Sequence, residues 1–209
     1  GRPLTWDPGN EIWMYGYWRY LWAGTMIRVA SIDRNTGRLT TAGGSNYGFA
    51  DGMPYYFFNV LEELDQPGEW YLDRKTGVLY LYPPGDVAQL RVTLPVLSAP
   101  FIRTKDTSFV RFVKLTFECG RAEGVVIDGG TDVALLGCRI LRLGTNGVVI
   151  LDGTKHMVMG CDIGSVGSGG IRLAGGDEKT LTPSGHVIEN CHVWDFTRVD
   201  RNYAPAVYV

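Results

Sequence analysis

Seven residues in the second half of the chain carry side chains suited to contact with a sugar. A carboxylate accepts hydrogen bonds from hydroxyl groups, a guanidinium donates them, and an aromatic ring offers an apolar face to a sugar ring. Arg139, Asp162 and His192 stand at related positions of a sequence repeat, and the others follow His192 closely. The candidates for glycan contact are Arg139, Asp162, His192, Trp194, Asp195, Asp200 and Tyr203.

Two carboxyl groups facing one glycosidic bond are the minimum for hydrolysis, about 5 Å apart for retention and about 6.5–9.5 Å for inversion. The geometry of neighbouring strands permits a pair among the acids from Asp162 to Asp200. However, Arg139 and His192 flank Asp162, and that setting favours a surface charge ladder over an acid catalyst. The catalytic residues therefore stay unassigned.

Other chemistries find little support in the sequence. There is no Cys-x-x-Cys pair, no Cys/His cluster with zinc spacing, no phosphate loop and no Gly-x-Ser-x-Gly elbow, so we expect no metal and no cofactor. A formal charge of −2 without a basic tract argues against nucleic acid as a partner. No apolar run approaches about 18 residues, which argues against a membrane span.

A repeat of 23 residues positions the candidates. Leu115-Thr116-Phe117, Cys138-Arg139-Ile140 and Cys161-Asp162-Ile163 follow one another at that spacing, and so do the segments that begin at Gly124 and Gly147. The repeats are short apolar runs between glycines, without helical spacing, so each turn must be made of strands. The sequence predicts an all-β protein with a right-handed parallel β-helix of about 23 residues per coil.

Three strands are predicted in each coil, and for the second coil they are Val133–Leu136, Cys138–Leu141 and Val148–Ile150. Glycines at 137 and at 144–147 mark corners. Alternation assigns four interior columns, with rungs about 4.8 Å apart. The columns are Phe112, Leu135, Val158 and Ile188; Leu115, Cys138, Cys161 and Cys191; Phe117, Ile140, Ile163 and Val193; and Val125, Val148, Ile171 and Val207. We expect the three aligned cysteines to be free thiols, and His156 and His186 to stack at a corner.

On the outside of the coils, two columns are apolar: Val113, Leu136 and Met159 in one, and Val126 and Val149 in the other. We expect this apolar face to be covered by residues 1 to about 85, by a missing segment or by another subunit, because soluble proteins seldom expose such patches. A fourth coil is expanded near 175–183 and 197–204, and such insertions are often binding loops. A weaker coil at Val92-Thr93-Leu94 suggests that the helix begins near Asp86.

Residues 1–85 form a different, β-rich module with five of the six tryptophans. Two Asp-Arg-x-Thr-Gly segments, at 33–37 and 73–77, predict hairpins. Asn59 is expected to cap a short helix at Val60–Leu64. The domain prediction is thus a module at 1–85 and β-helix coils at 86–209, truncated at the C-terminal edge because Val209 ends in a strand motif.

The segment N-V-L-E-E-L-D-Q-P-G-E-W-Y-L-D at 59–73, followed by T-G-V-L-Y-L-Y-P-P at 76–84, resembles bacterial right-handed parallel β-helix glycoside hydrolases. The resemblance extends over about 53–209. It implies a secreted or periplasmic protein that acts on a plant or microbial polysaccharide, without naming the sugar.

The family's hydrolytic acids lie in a later segment resembling D-D-x-G-A-I-Y, which this sequence lacks, so no catalytic residue is carried over. The chain is expected to be a fragment whose catalytic coils, or another subunit, cover its open edge. The alternatives are a polysaccharide lyase and a non-catalytic glycan-binding or structural β-helix.

Overall fold

The computed structural model describes residues 2–209, which form two compact units that divide between Val92 and Thr93. Both units are built of strands, and the helices are single 3₁₀ turns. No helix in the described range has the length and apolar character needed to cross a membrane.

The N-terminal unit contains an antiparallel sheet in the order β3-β2-β1-β4 and a separate hairpin of β5 and β6. Its strands are β1 Trp13–Tyr17, β2 Gly24–Ile32, β3 Leu39–Thr41, β4 Tyr55–Phe58, β5 Trp70–Asp73 and β6 Val78–Leu81. Its 3₁₀ turns are Arg2–Thr5, Pro8–Asn10, Leu61–Glu63 and Val87–Gln89. A small core includes Trp6, Ile12, Met14, Trp18, Ile27, Val29 and Val60.

Both predicted Asp-Arg-x-Thr-Gly hairpins are confirmed, and they are built alike. Asp33 and Asp73 each accept backbone N–H bonds from the residues two and three further on, at 2.9 and 3.3 Å. Gly37 and Gly77 close the turns with φ of 72° and 75°, a conformation that glycine adopts at little cost. Hydrogen bonds from the threonine side chains and the backbone N–H groups lower the pKa of both aspartates.

The helix predicted at Val60–Leu64 is wrong in extent and in its cap. The structure has one 3₁₀ turn, Leu61–Glu63, whose cap position is Val60 without a side-chain bond. Asn59 has a φ of 56°, which is incompatible with the extended cap conformation. Its side chain donates instead to Asn10 and accepts the N–H of Leu72, so it joins two segments of the unit.

The C-terminal unit is a parallel β-solenoid that repeats at about 23 residues, as predicted. Three parallel sheets, in the orders β19-β16-β13-β10-β7, β17-β14-β11-β8 and β18-β15-β12-β9, enclose one core. The strands are β7 Ile102–Lys105, β8 Arg111–Val113, β9 Thr116–Gly120, β10 Val125–Asp128, β11 Ala134–Leu136, β12 Arg139–Leu143, β13 Val148–Ile150, β14 Met157–Met159, β15 Asp162–Val166, β16 Ile171–Leu173, β17 Val187–Glu189, β18 His192–Trp194 and β19 Val207–Tyr208.

The interior columns keep the predicted register. Leu135 pairs with Phe112 and Val158, and Ile140 pairs with Phe117 and Ile163. Burial is complete in the middle coils and incomplete at the ends. Leu115 was predicted to lie inside but is 42% exposed, and Val207 is 39% exposed. Each belongs to a terminal rung, which has a neighbouring rung on one side only.

Val126 and Val149 point away from the interior cluster as predicted, and both are buried. One further expectation is wrong. The weak coil at 92–94 forms no strand, and the first solenoid strand, β7, begins at Ile102. The exposed side chains of Val92 and Leu94 show that apolar alternation alone did not place this segment in the core.

Two predictions about aligned side chains are confirmed, the free cysteines and the stacked histidines. Cys138, Cys161 and Cys191 are free, and the first two are buried. His156 and His186 stack with ring centroids 5.1 Å apart and planes inclined by 12°. The Nδ1 atoms accept the backbone N–H groups of Val133 and His156 respectively, at 3.1 Å, so both rings are held as neutral imidazoles.

Candidate functional site

The outer face of the β9-β12-β15-β18 sheet brings together four of the seven candidate residues. Asp162 pairs in register with Arg139 on one side and His192 on the other, so the predicted polar column exists. Trp194 lies two positions beyond His192 on the same strand and therefore on the same face. We call these four residues, together with Gly164, the Trp194 site.

Asp162 is the centre of the Trp194 site. Its Oδ1 accepts the indole N–H of Trp194 at 3.0 Å and lies 3.1 Å from His192 Nδ1. Its Oδ2 lies 3.8 Å from the Nε of Arg139. Because a carboxylate oxygen only accepts, the contact with His192 places a proton on Nδ1. One carboxylate thus orients a guanidinium, an imidazole and an indole.

Gly164 allows the ring of Trp194 to lie against the sheet. The two residues are cross-strand partners, and a Cβ atom on Gly164 would stand 2.2 Å from Cε2 of the indole. Any other residue at 164 would displace the ring. With the hydrogen bond to Asp162, the glycine fixes the indole plane while 38% of Trp194 stays exposed. The ring of His192 lies 6.3 Å away at an inclination of 24°.

Asp195 is next to this site but has its own partners. It follows β18 in a left-handed conformation with a φ of 46°. Its Oδ2 accepts the Ser165 hydroxyl at 2.7 Å and lies 3.6 Å from the Nε of Arg198. The carboxylate of Asp195 therefore stabilises the corner after β18. Asp162 and Asp195 thus each have their own set of polar or cationic partners.

The other two candidates lie on the loop beyond this corner. Asp200 is exposed, and its backbone N–H donates to the carbonyl of Gly167 at 2.9 Å. Tyr203 lines a separate cleft of about 340 Å³ beside the β16 strand, where Arg172 and Tyr208 also lie. We call this the Arg172 cleft. The structure thus brings four of the seven candidates together, places Asp195 next to them, and puts Tyr203 in a separate cleft that Asp200 does not line.

Sequence reasoning missed two positions of the candidate surfaces, Arg172 and Gly164, although each carried a visible signal. Arg172 stands in the column that holds Val126 and Val149 in the preceding coils, so a charge replaces an apolar residue. Gly164 stands where the previous coil has Leu141. A break in a repeat, where the period predicts an apolar side chain, would have indicated both.

The N-terminal unit carries an exposed aromatic group that the sequence reasoning also missed. The rings of Tyr20 and Trp22 stack at 5.2 Å and 7°, and Tyr47 meets Trp22 edge-on at 5.1 Å. All three side chains are more than 40% exposed. This group offers exposed ring faces to solvent.

The described residues contain no group of side chains arranged like a metal site. Across residues 2–209, no three His, Cys, Asp or Glu side chains are grouped so that they could hold an ion.

Comparison with protein families, with curated proteins and with solved structures finds no match to this chain.

Proposed function

We propose that this chain is part of a carbohydrate-active protein and that the Trp194 site binds a polysaccharide or oligosaccharide. The observation that supports this most is the fixed and exposed indole of Trp194. Its orientation is set by the N–H bond to Asp162 and by the bare backbone of Gly164. A ring already held in place loses little conformational freedom when a ligand stacks on it.

The polar neighbours of the indole suit a sugar as well. Arg139 and His192 have side chains that are 61% and 74% exposed, so their remaining N–H groups face solvent. An aromatic face bordered by a few oriented polar groups is the usual composition of a small-molecule site. A glycan offers both an apolar ring face and hydroxyl groups to such a surface.

Binding is the role that the acids of this face support. Asp162 holds Trp194, His192 and Arg139, and Asp195 holds Ser165 and Arg198. Neither carboxylate is left to act as a general acid or nucleophile. We assign glycoside hydrolysis, the activity that the resemblance at 59–84 implies, to acids other than these, and we place the protein outside the cytoplasm, where polysaccharides occur.

The test is binding of the purified chain to an array of plant and microbial oligosaccharides, followed by calorimetry with the tightest ligand. Trp194→Ala should weaken that binding at least about tenfold, whereas Trp194→Phe keeps a ring and should lose less. Trp70→Ala removes an exposed indole from the other unit and serves as the matched control. Unchanged affinity in Trp194→Ala would reject the site.

Activity is read out in the same experiment. Release of reducing ends from the bound oligosaccharide would show hydrolysis by this chain, and its loss in Asp162→Asn or Asp195→Asn would contradict the assignment of these two acids to binding. Binding without release is the expected result.

A further inference from the structure

The Arg172 cleft contains an arginine without an acidic partner. Among the ion pairs of residues 2–209, none involves Arg172, and the residues that line the cleft include no Asp or Glu. The guanidinium lies over the ring of Tyr208, with Cζ 5.7 Å from the ring centroid. The only formal charge in the cleft is therefore positive.

The geometry of Arg172 favours an anion. A guanidinium stacked on an aromatic ring is held by its flat face, so its N–H groups stay directed along its edge. Two of those groups match the two oxygens of a carboxylate. The ring of Tyr208 beside the guanidinium restricts the directions in which these donors can point.

A second donor is fixed in the same cleft. Asn146 accepts the backbone N–H of Gly169 with its Oδ1 at 3.1 Å. This bond determines the orientation of the side-chain amide, so the NH₂ group of Asn146 points away from Gly169 and can donate to a ligand. Ser168 also lines the cleft. Arginine, amide and hydroxyl groups can all donate, which again suits a ligand rich in acceptor oxygens.

We infer that the Arg172 cleft binds an acidic sugar residue, with its carboxylate on the guanidinium and its ring hydroxyls on Asn146 and Ser168. The inference rests on the proposed function and adds the class of glycan: a chain that carries uronic acid units. A volume of about 340 Å³ is at the lower end of the range of small-molecule pockets and accommodates a single sugar residue.

The experiment uses pairs of oligosaccharides that share one backbone, with and without a uronic acid residue, on the array and then in calorimetry. The wild-type chain should prefer the acidic member of a pair. Arg172→Gln should weaken binding of the acidic member about tenfold or more and leave the neutral member unchanged. Arg172→Lys keeps the charge without the planar fork and should give an intermediate loss.

Arg103 provides the matched control. It occupies the same outward column of the same sheet, three rungs away, and is also exposed. Arg103→Gln removes the same charge outside the cleft and should leave the preference intact. Equal losses in both variants would mean that general electrostatic attraction causes the preference, and would overturn the inference.

The remaining outcomes separate the two proposals. Binding of neutral and acidic members with equal affinity, together with a loss in Trp194→Ala, would reject the acidic-sugar cleft and retain the glycan site. No binding to any array member would reject the proposed function itself. Inorganic phosphate is the last probe, and binding of phosphate as tight as that of the acidic oligosaccharide, abolished in Arg172→Gln, would reassign the cleft to a free anion.

Discussion

The indole of Trp194 lies against the backbone of Gly164, its partner on the neighbouring strand, and a single methyl group on Gly164 would stand 2.2 Å from the ring. This contact lets an aromatic side chain lie flat on the outer face of a sheet. The hydrogen bond to Asp162 then fixes the ring in its plane. The proposed glycan site depends on both contacts.

Gly164→Ala should therefore impair binding without unfolding the solenoid. The new methyl group displaces a side chain that can swing outward, and Gly164 is not among the residues with positive φ, so alanine fits the strand. The stability loss should stay below about 1 kcal/mol, while glycan affinity falls about tenfold. Calorimetry and thermal melting measure the two effects.

Thr116→Ala is the control for this substitution, because Thr116 lies on the same sheet, at the far end of the outward column that holds Arg139, Asp162 and His192. It should change neither quantity. Full glycan affinity in Gly164→Ala would show that the orientation of Trp194 is unimportant.

Ile140→Asp should prevent folding of the solenoid. Ile140 is completely buried between Phe117 and Ile163, so a carboxylate there would have neither water nor a cation. The cost is comparable with the whole stability of a domain, about 5–15 kcal/mol. Circular dichroism during a thermal scan would detect the loss of a cooperative transition, and a normal transition would contradict the interior assignment.

Thr116→Asp serves as the control for the buried carboxylate. It introduces the same charge on the exposed face of the same sheet, and it should fold.

The stacked histidines should make stability depend on pH. Burial lowers the pKa of both His156 and His186 below the ordinary value of 6.5, and for His186 the neighbouring His156 lowers it further. The unfolded chain therefore takes up protons first as the pH falls. Their stabilising contribution is complete above about pH 6.5 and is lost progressively below it.

Urea unfolding at pH 8, 7, 6 and 5 measures this dependence. The free energy of unfolding should fall between pH 7 and pH 5, and His156→Asn should reduce that slope. The lowered pKa values of Asp33, Asp73 and Asp177 act in a separate window, since their ordinary value is 3.8. A constant free energy from pH 8 to pH 5 would contradict the neutral stack.

The aligned thiols should differ in reactivity. A hydrogen bond with the Cys191 thiol and burial both raise the pKa of Cys161, so this thiol stays protonated. Cys138 is also fully buried, whereas Cys191 and Cys119 are partly exposed. Labelling of the native protein, mapped by mass spectrometry, should modify Cys119 and Cys191 before the other two. Early modification of Cys138 would contradict the column.

The sequence predicted most of the solenoid because a repeat reports register directly. The 23-residue offset gave the pairing of Val125 with Val148 and of Ile140 with Ile163, and both are observed. Burial was harder to predict. Leu115 fits the interior period but belongs to a terminal rung, and Val126 fits the exterior period but is covered by the chain. Periodicity specifies which side a residue faces, and not what lies over that side.

The candidate site was predictable only as a column of residue types. Asp162 and His192 could be aligned from the repeat, but the contact of Trp194 with Gly164 depends on a rotamer that no spacing specifies. Asn59 shows the same limit, since its residue type suits a helix cap while its backbone adopts a φ of 56° and its side chain bridges two segments. The sequence patterns predicted strand register and hairpin turns correctly, but they did not predict side-chain rotamers and contacts.

The most direct test is an NMR titration of the ¹⁵N-labelled chain with the tightest oligosaccharide from the array. The chain has six tryptophans, and therefore six indole N–H signals, which substitutions can assign. The indole of Trp194 should shift with ligand concentration, because its N–H binds Asp162 at the edge of the bound sugar. A saturable shift confined to other indoles, such as that of Trp22 in the N-terminal aromatic group, would contradict a glycan site on the solenoid.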